Sequence, residues 1–483
     1  MIFFLRQSLL FLLIVVAGSI QAQYFLPTDS PQRHLLHYLY DSEPSLGVLE
    51  NAQPVRAPRF YKQSDTLHSY FHTGESDGRI SAVFSGPQAQ PGVTFHGFGY
   101  FNIRWTDRVI TGGQLHITNA RNGEYLLGTN KTTFGMTGRI DRAWITYQHD
   151  NIGVTYGRDA VQQGPGRFSQ LGVNGLLPPY DMIRLRLSKY HFHLRSFTAF
   201  FPPVRNVPHS QEYVQRYLTG RRLEYIHPSG RFTAAIGDLV LYTGVNRPVN
   251  PAISNPLIPM FPLMFEGMEW QSQDHLGDNE NDQWLIDASY RVSLGKSRHK
   301  LYTEFILDDF QYAPEDRKDL DDALGITIGM GNVLPVSGPY TLHTQLELTA
   351  LNTWVYNHPG QFTSWTYRNR PMGNREGGDV WEVHLRTDLW QGYRWSAGVQ
   401  YDHIVKGEVT PTDRWDPLGT KEAAFPLGTV QTTRTLAIDF YYYTGQFRYI
   451  RPSVTYERVS NSGHQEGQEE TNIEFRVELL WWI

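Results

Sequence analysis

The seven residues Ile473-Glu474-Phe475-Arg476-Val477-Glu478-Leu479 decide the fold. Isoleucine, phenylalanine, valine and leucine alternate there with glutamate and arginine, without a lapse. Successive side chains of an extended strand point to opposite faces, so one face of this strand meets an apolar environment and the other a polar one. The same rhythm runs through 381–389, where Trp381, Val383, Leu385, Thr387 and Leu389 oppose Glu382, His384, Arg386 and Asp388. It returns where Leu342, Thr344, Leu346, Leu348 and Ala350 oppose His343, Gln345, Glu347 and Thr349. A soluble sandwich satisfies this alternation with a core inside and water outside; a membrane barrel satisfies it with lipid outside and a wet lumen inside.

The links between strands separate the two. Strands are predicted near 138–148, 151–158, 181–189, 192–200, 220–228, 230–238, 283–293, 299–308, 322–331, 339–351, 379–389, 393–404, 432–443, 446–458 and 470–482. Short links and long links then alternate: after the HPSG turn (227–230) comes 239–282, after GKSR comes 309–321, after VLPVSGP comes 352–378. A barrel inserted from the periplasm keeps its turns short on that side and carries long loops outside, whereas a sandwich has no reason to do so. Further segments near 66–73, 79–86, 92–104, 108–118 and 123–131 raise the count to roughly 20, of which one or two need not span. The expectation is therefore an all-β, transmembrane antiparallel β-barrel of about 18 strands, within two and even, over 66–483. Both termini are then periplasmic and the long loops extracellular, at the outer membrane of a Gram-negative bacterium. The aromatic-rich last strand, with Phe475, Trp481 and Trp482, suits recognition by barrel-assembly machinery during biogenesis.

Composition excludes several other classes. The 483 residues carry 43 Lys+Arg against 48 Asp+Glu, a near balance that argues against a nucleic-acid partner. With 40% hydrophobic residues and a mean hydropathy of −0.42, the chain is too polar for a helical membrane protein, which needs about 20 consecutive apolar residues per span. The 43 glycines, 28 prolines and 14% aromatic residues fit an all-β chain with large loops. Zero cysteines remove disulfide scaffolds, thiolate metal sites and thiol nucleophiles. Arg6, the apolar run Leu9 to Val16 and a cleavage site after Ala22 read as a signal peptide over 1–22, and Gln23 in place of Cys excludes a lipoprotein anchor. Residues 23–65 read as a small periplasmic segment, helical from Pro31, with Ser30 as cap and Leu35, Leu36, Leu39 and Tyr40 on one face.

Three constellations could carry chemistry. In QQGPGR (162–167), Gly164, Pro165 and Gly166 suit a tight folded-in turn that shapes the lumen, with direct ligand contact as the other reading. Asp308 and Asp309, followed by Asp316, Asp319, Asp321 and Asp322, could be an acid and base on a glycosidic bond or calcium ligands. Adjacent strand residues face opposite ways, however, so a solvated acidic loop is the plainer reading. Loop 352–378 sets Trp354, Tyr356, Trp365 and Tyr367 among Asn352, Asn357, His358, Arg368, Asn369, Arg370 and Arg375. Aromatic faces pack on pyranose rings and guanidinium groups pair with uronates, so these are candidate polysaccharide contacts; an aromatic girdle or loop packing is the structural alternative. Trp415 with Arg414, and Tyr213, Arg216 and Tyr217, are similar candidates in neighbouring loops. No HExxH motif supports a catalytic, metal or cofactor site.

At this point the sequence resembles the Wzi-type capsule assembly proteins. The resemblance rests on Gly157-Arg158 followed by Gln163-Gly164-Pro165-Gly166-Arg167 and Leu171, on GDLVLYTGVNRPVNPAISNPL (237–257), on Leu301 to Gln311 with Glu304, Asp308 and Asp309, and on the amino-terminal LPTDSPQRHLLHYLYD. It implies an 18-stranded outer-membrane barrel, closed on the periplasmic side by helices, that binds capsular polysaccharide, helps hold it on the cell surface and has no enzyme activity. Its partners would be cell-surface polysaccharide and outer-membrane lipid. Two rivals stay open: a porin-like channel with a lumen lined by Glu382, Arg386, Asp388, Glu474 and Arg476, and a glycan-acting hydrolase.

Overall fold

The computed structural model describes residues 25–26, 52–53, 55–56, 76–85, 92–118, 137–175, 177–205, 212–259, 280–309, 322–358, 362–392, 394–413, 425–445 and 448–482. The barrel strands in chain order are β1 (Ser76–Ser85), β2 (Gly92–Arg104), β3 (Val109–Thr118), β4 (Thr137–His149), β5 (Ile152–Asp159) and β6 (Tyr180–Lys189). They continue as β7 (Phe192–Arg205), β8 (Tyr213–Ile226), β9 (Phe232–Val245), β10 (Glu280–Leu294), β11 (Ser297–Asp309) and β12 (Ala323–Pro335). The last six are β13 (Tyr340–Leu351), β14 (Val380–Gln391), β15 (Trp395–Lys406), β16 (Gln431–Gly445), β17 (Arg448–Ser460) and β18 (Glu469–Trp482). Each pairs with its neighbours in sequence, and β18 closes on β1 with Trp482 opposite Asp77 and Glu474 opposite Ser85, giving one closed barrel of 18 strands.

Two of the expected strand segments, 66–73 and 123–131, lie outside the described residues, and the barrel closes without them. The ladder from β3 passes straight to β4, with Thr118 opposite Thr137. The expected signal peptide over 1–22 and the helix from Pro31 also lie outside the described residues. Of 23–65, the described pieces are short extended pairings: Phe25–Leu26 with Val55–Arg56, and Ala52–Gln53 with Gln162–Gln163.

The alternation that opened the reading is realised with its apolar side outward. On β18, Phe475 is 54% exposed while Glu478 is 1% exposed. Ile183, Ile236, Ile286, Leu301, Ile328, Leu385 and Ile438 extend the same outward apolar surface around the wall. Exposed apolar side chains on the outward positions of β3 to β18 make sense only if lipid is their solvent. The inward face is polar and internally paired. Arg386 bridges Asp388 at 2.6 Å and Asp439 at 2.9 Å, and Arg222 pairs with Asp287. Buried charges need such partners, because leaving one unpaired costs several kcal/mol. One rim carries short turns such as 150–151, 190–191 and 295–296; the other carries the links 160–179, 246–279, 352–379 and 407–430.

Candidate functional site

The long links do not all stand away from the barrel. Inward residues of strands β6 to β15, among them Met182, Leu218, Leu239, Leu285, Ile306 and Leu351, form one buried cluster with Leu171 and Val173 of the link 160–179 and with Trp354, Tyr356, Trp365, Tyr367 and Met372 of the link 352–379. Two loops therefore fold into the lumen and pack there as a plug.

Two wall carboxylates anchor the first loop. Glu347, on β13, accepts the amides of Arg167 at 2.7 Å, Phe168 at 3.1 Å and Ser169 at 2.6 Å, and the Tyr302 hydroxyl at 2.5 Å. Glu304, on β11, accepts the Leu171 amide at 3.0 Å. A β-carbon added at Gly164, where φ is +99, would lie 2.4 Å from the Glu304 carboxylate, and one at Gly166 would lie 1.8 Å from the Ser169 carbonyl. Only glycine lets the backbone approach that closely. Pro165 is buried between them. Gly157 and Arg158 sit on β5, where Arg158 forks onto Asp181 at 2.9 and 2.8 Å on the exposed side.

The second loop is tied to the first. Trp365 Nε1 donates to the Gly172 carbonyl at 3.0 Å, and the Tyr356 hydroxyl donates to the Leu171 carbonyl at 2.5 Å. Asn374 Nδ2 donates to Ser169 Oγ at 2.7 Å and Glu382 at 2.9 Å. Burial lifts the Tyr356 hydroxyl well above the usual phenol range, which keeps it a donor. Asp308 is skipped by a bulge in register between Leu307 and Asp309, and its carboxylate accepts the Tyr356 amide. A bulge re-aims a side chain in this way. Asp308 is thus an anchor for the loop rather than half of an acid and base pair, and Asp309 continues the ladder opposite Ala323. The acidic residues 316–321 lie outside the described residues. Glu280, the first residue of β10, pairs with Arg247. Among the described residues no cluster of His, Asp or Glu is arranged to hold a metal.

The expectation that Trp354, Tyr356, Trp365 and Tyr367 offer ring faces to sugar is corrected by this packing. Trp365 and Tyr356 are 0% exposed and the other two are buried, so no face is open to a ligand. What the loop does present is a short hairpin, with Thr366 opposite Pro371 and Tyr367 opposite Arg370. Arg368 and Asn369 take φ of 50 and 61, the left-handed pair that a tight hairpin turn requires. Tyr367 packs beneath against Phe201, 4.5 Å between ring centroids, and against Tyr180. Arg216 reaches from β8 to the Ser364 and Thr366 carbonyls at 3.1 and 2.9 Å. Arg368, Asn369, Arg370 and Arg375 remain exposed. Asn357 ties the same loop to the Thr410 and Asp413 carbonyls, Asn352 holds the Asp322 carbonyl, and His358 bonds Thr363. Tyr217 donates to the Arg247 carbonyl, while Tyr213 stays exposed beside Arg205. Trp415 and Arg414 lie outside the described residues.

Sequence reading missed Glu347 and Asn374. A usable signal existed for Glu347: its ladder neighbours are Gly329 and His384, so an inward carboxylate stood without an arginine or lysine opposite. The interior aromatic cluster of Trp390, Tyr441, Tyr443 and Tyr449 was missed as well.

The structure of Wzi of Escherichia coli, described as an outer membrane protein involved in group 1 capsule assembly and a carbohydrate-binding β-barrel, superposes with a TM-score of 0.63 at 13% identity, over 94% of this chain and 98% of that one. The outer membrane protein opdK of Pseudomonas aeruginosa superposes with a TM-score of 0.49 at 12% identity, over 85% of this chain and 99% of that one. No curated protein matches the sequence. The profile of the family described as "Capsule assembly protein Wzi" matches residues 122–473, which holds the whole plug and most of the barrel, and the chain belongs to that family.

Proposed function

We propose that this outer-membrane barrel binds surface or capsular polysaccharide at its long-loop rim and aids capsule assembly or retention, with the long loops extracellular and both termini periplasmic. The observation that carries the reading is the hairpin 366–371. Its tip holds Arg368, Asn369 and Arg370 in solvent while the residues beneath are fixed by the plug. Planar guanidinium groups fork onto uronate carboxylates, and donors held in place beforehand bind without a large ordering cost. A polymer multiplies such contacts, since each rebinding is local. Arg370 keeps its proposed contact role, and Arg368 and Arg375 join it. Trp354, Tyr356, Trp365 and Tyr367 act by holding the tip, and Trp415 stays a proposed stacking residue of the link 407–430. Carbohydrate binding by the Escherichia coli protein supports the ligand class, and the packed loops weigh against a diffusion channel. The function needs no turnover. Outer-membrane lipid covers the apolar wall, and β18 is the strand offered to assembly machinery.

The test is binding of purified surface polysaccharide to the full-length protein and to Arg368→Ala/Arg370→Ala, at low and high ionic strength. The variant should fold and bind more weakly, with the loss greatest at low salt for an acidic glycan. Equal affinity of the two proteins would refute the reading.

A further inference from the structure

We propose that a basic pocket at the short-turn mouth of the lumen is a second binding site, which takes the carboxylate or phosphate of an acidic saccharide. It lies at the opposite end of the barrel from the hairpin and does not depend on the reading given for that rim. A cavity of about 300 Å³ opens there, lined by Arg231, Arg291, Arg298 and Lys300 together with Gly331 and Val333. Alternation puts the cations on the lumen side. Asp287 and Ser289 are buried inward on β10, and Arg291 continues their series; Tyr302 and Glu304 are buried inward on β11, and Lys300 and Arg298 continue theirs.

The row is crowded with one sign of charge. Arg291 stands directly opposite Lys300, and the Arg291 amide donates to the carbonyl of Arg231, which immediately precedes β9, at 2.7 Å, so three cations lie side by side. Arg298 begins the next row, opposite Ser293 and Val333. Like charges directly opposed in a ladder repel each other, and an anion bound among them relieves that repulsion. Among the described residues, neither Arg231 nor Arg298 takes part in an ion pair. Lys300 lies over the Tyr302 ring, 5.1 Å from its centroid. Gly331, opposite Lys300, adds no side chain to the space. The volume falls at the lower end of small-molecule pockets, roughly 300–1,000 Å³, and admits one sugar unit with its acidic group. Arginine forks match carboxylate and phosphate oxygens equally well.

Calorimetric titration of the full-length protein with glucuronate, glucose 1-phosphate and glucose tests the assignment. Saturable, salt-sensitive binding is expected for glucuronate, glucose 1-phosphate or both, which tells carboxylate from phosphate recognition, and none for glucose. Arg291→Gln/Arg298→Gln should weaken it about ten-fold or more, because each lost charged hydrogen bond contributes about a ten-fold change. Arg298→Lys, which keeps the charge without the fork, should fall between. In the Arg368→Ala/Arg370→Ala background, where the hairpin arginines make no contribution, binding should persist and should still be weakened by Arg291→Gln/Arg298→Gln, which separates this site from the hairpin. Absence of saturable binding by either acid, or unchanged affinity in the double glutamine variant, would overturn the proposal.

Discussion

Glu347 shows what a single side chain can and cannot reveal. Its place in the alternation of 342–350 marks it as facing the polar side, yet the partners that make it matter are amides 178 to 180 positions away in sequence. No local pattern encodes that distance. Glu347→Ala leaves those amides and the Tyr302 hydroxyl without an acceptor, and should cost about 3–5 kcal/mol in denaturant unfolding of the folded barrel. Glu347→Gln, which still offers one oxygen, should cost less. Gly164→Ala should cost about 1–3 kcal/mol, since the added carbon meets the Glu304 carboxylate. Equal stability of Glu347→Ala and Glu347→Gln would mean that the cradle does not hold the loop.

Strands were legible because their period is short and their two solvents differ. Val477→Arg places a charge on the lipid face and should cost about 2–4 kcal/mol on folding into lipid, with the measured value depending on depth. Glu474→Gln, across the strand in a half-exposed pair with Arg476, should change stability by less than about 1 kcal/mol. The inward face is less forgiving than a wet lumen would be, since Glu382 serves Asn374 and His384, and Glu478 accepts from Tyr449. Loops were the part that alternation could not reach. Trp354 and Trp365 read as sugar platforms because an aromatic in a long link has the same sequence signature whether the link turns outward or into the barrel. Trp365→Ala should therefore lower stability by about 3–5 kcal/mol along with any loss of polysaccharide, because the ring is fully buried and bonded to Gly172. Loss of binding with unchanged stability would return Trp365 to the role of a ligand contact.

At the scale of the molecule, the closed barrel of 18 strands and the alternation of short and long links followed from the sequence, while the filling of the lumen did not. The inward polar residues Glu382, Arg386 and Asp388 suit a water-filled channel as well as they suit a wall that loops pack against. Only the pairing of Glu347 and Glu304 with the link 160–179, and the seating of the link 352–379 upon it, separates a binding barrel from a pore. Single-channel recording of the purified protein in a planar bilayer tests that separation most directly. The unchanged protein should show no steady open-channel current, and replacing 352–379 by a short glycine-serine link together with Glu347→Ala should produce stepwise conductance. A steady, large conductance from the unchanged protein would contradict the account.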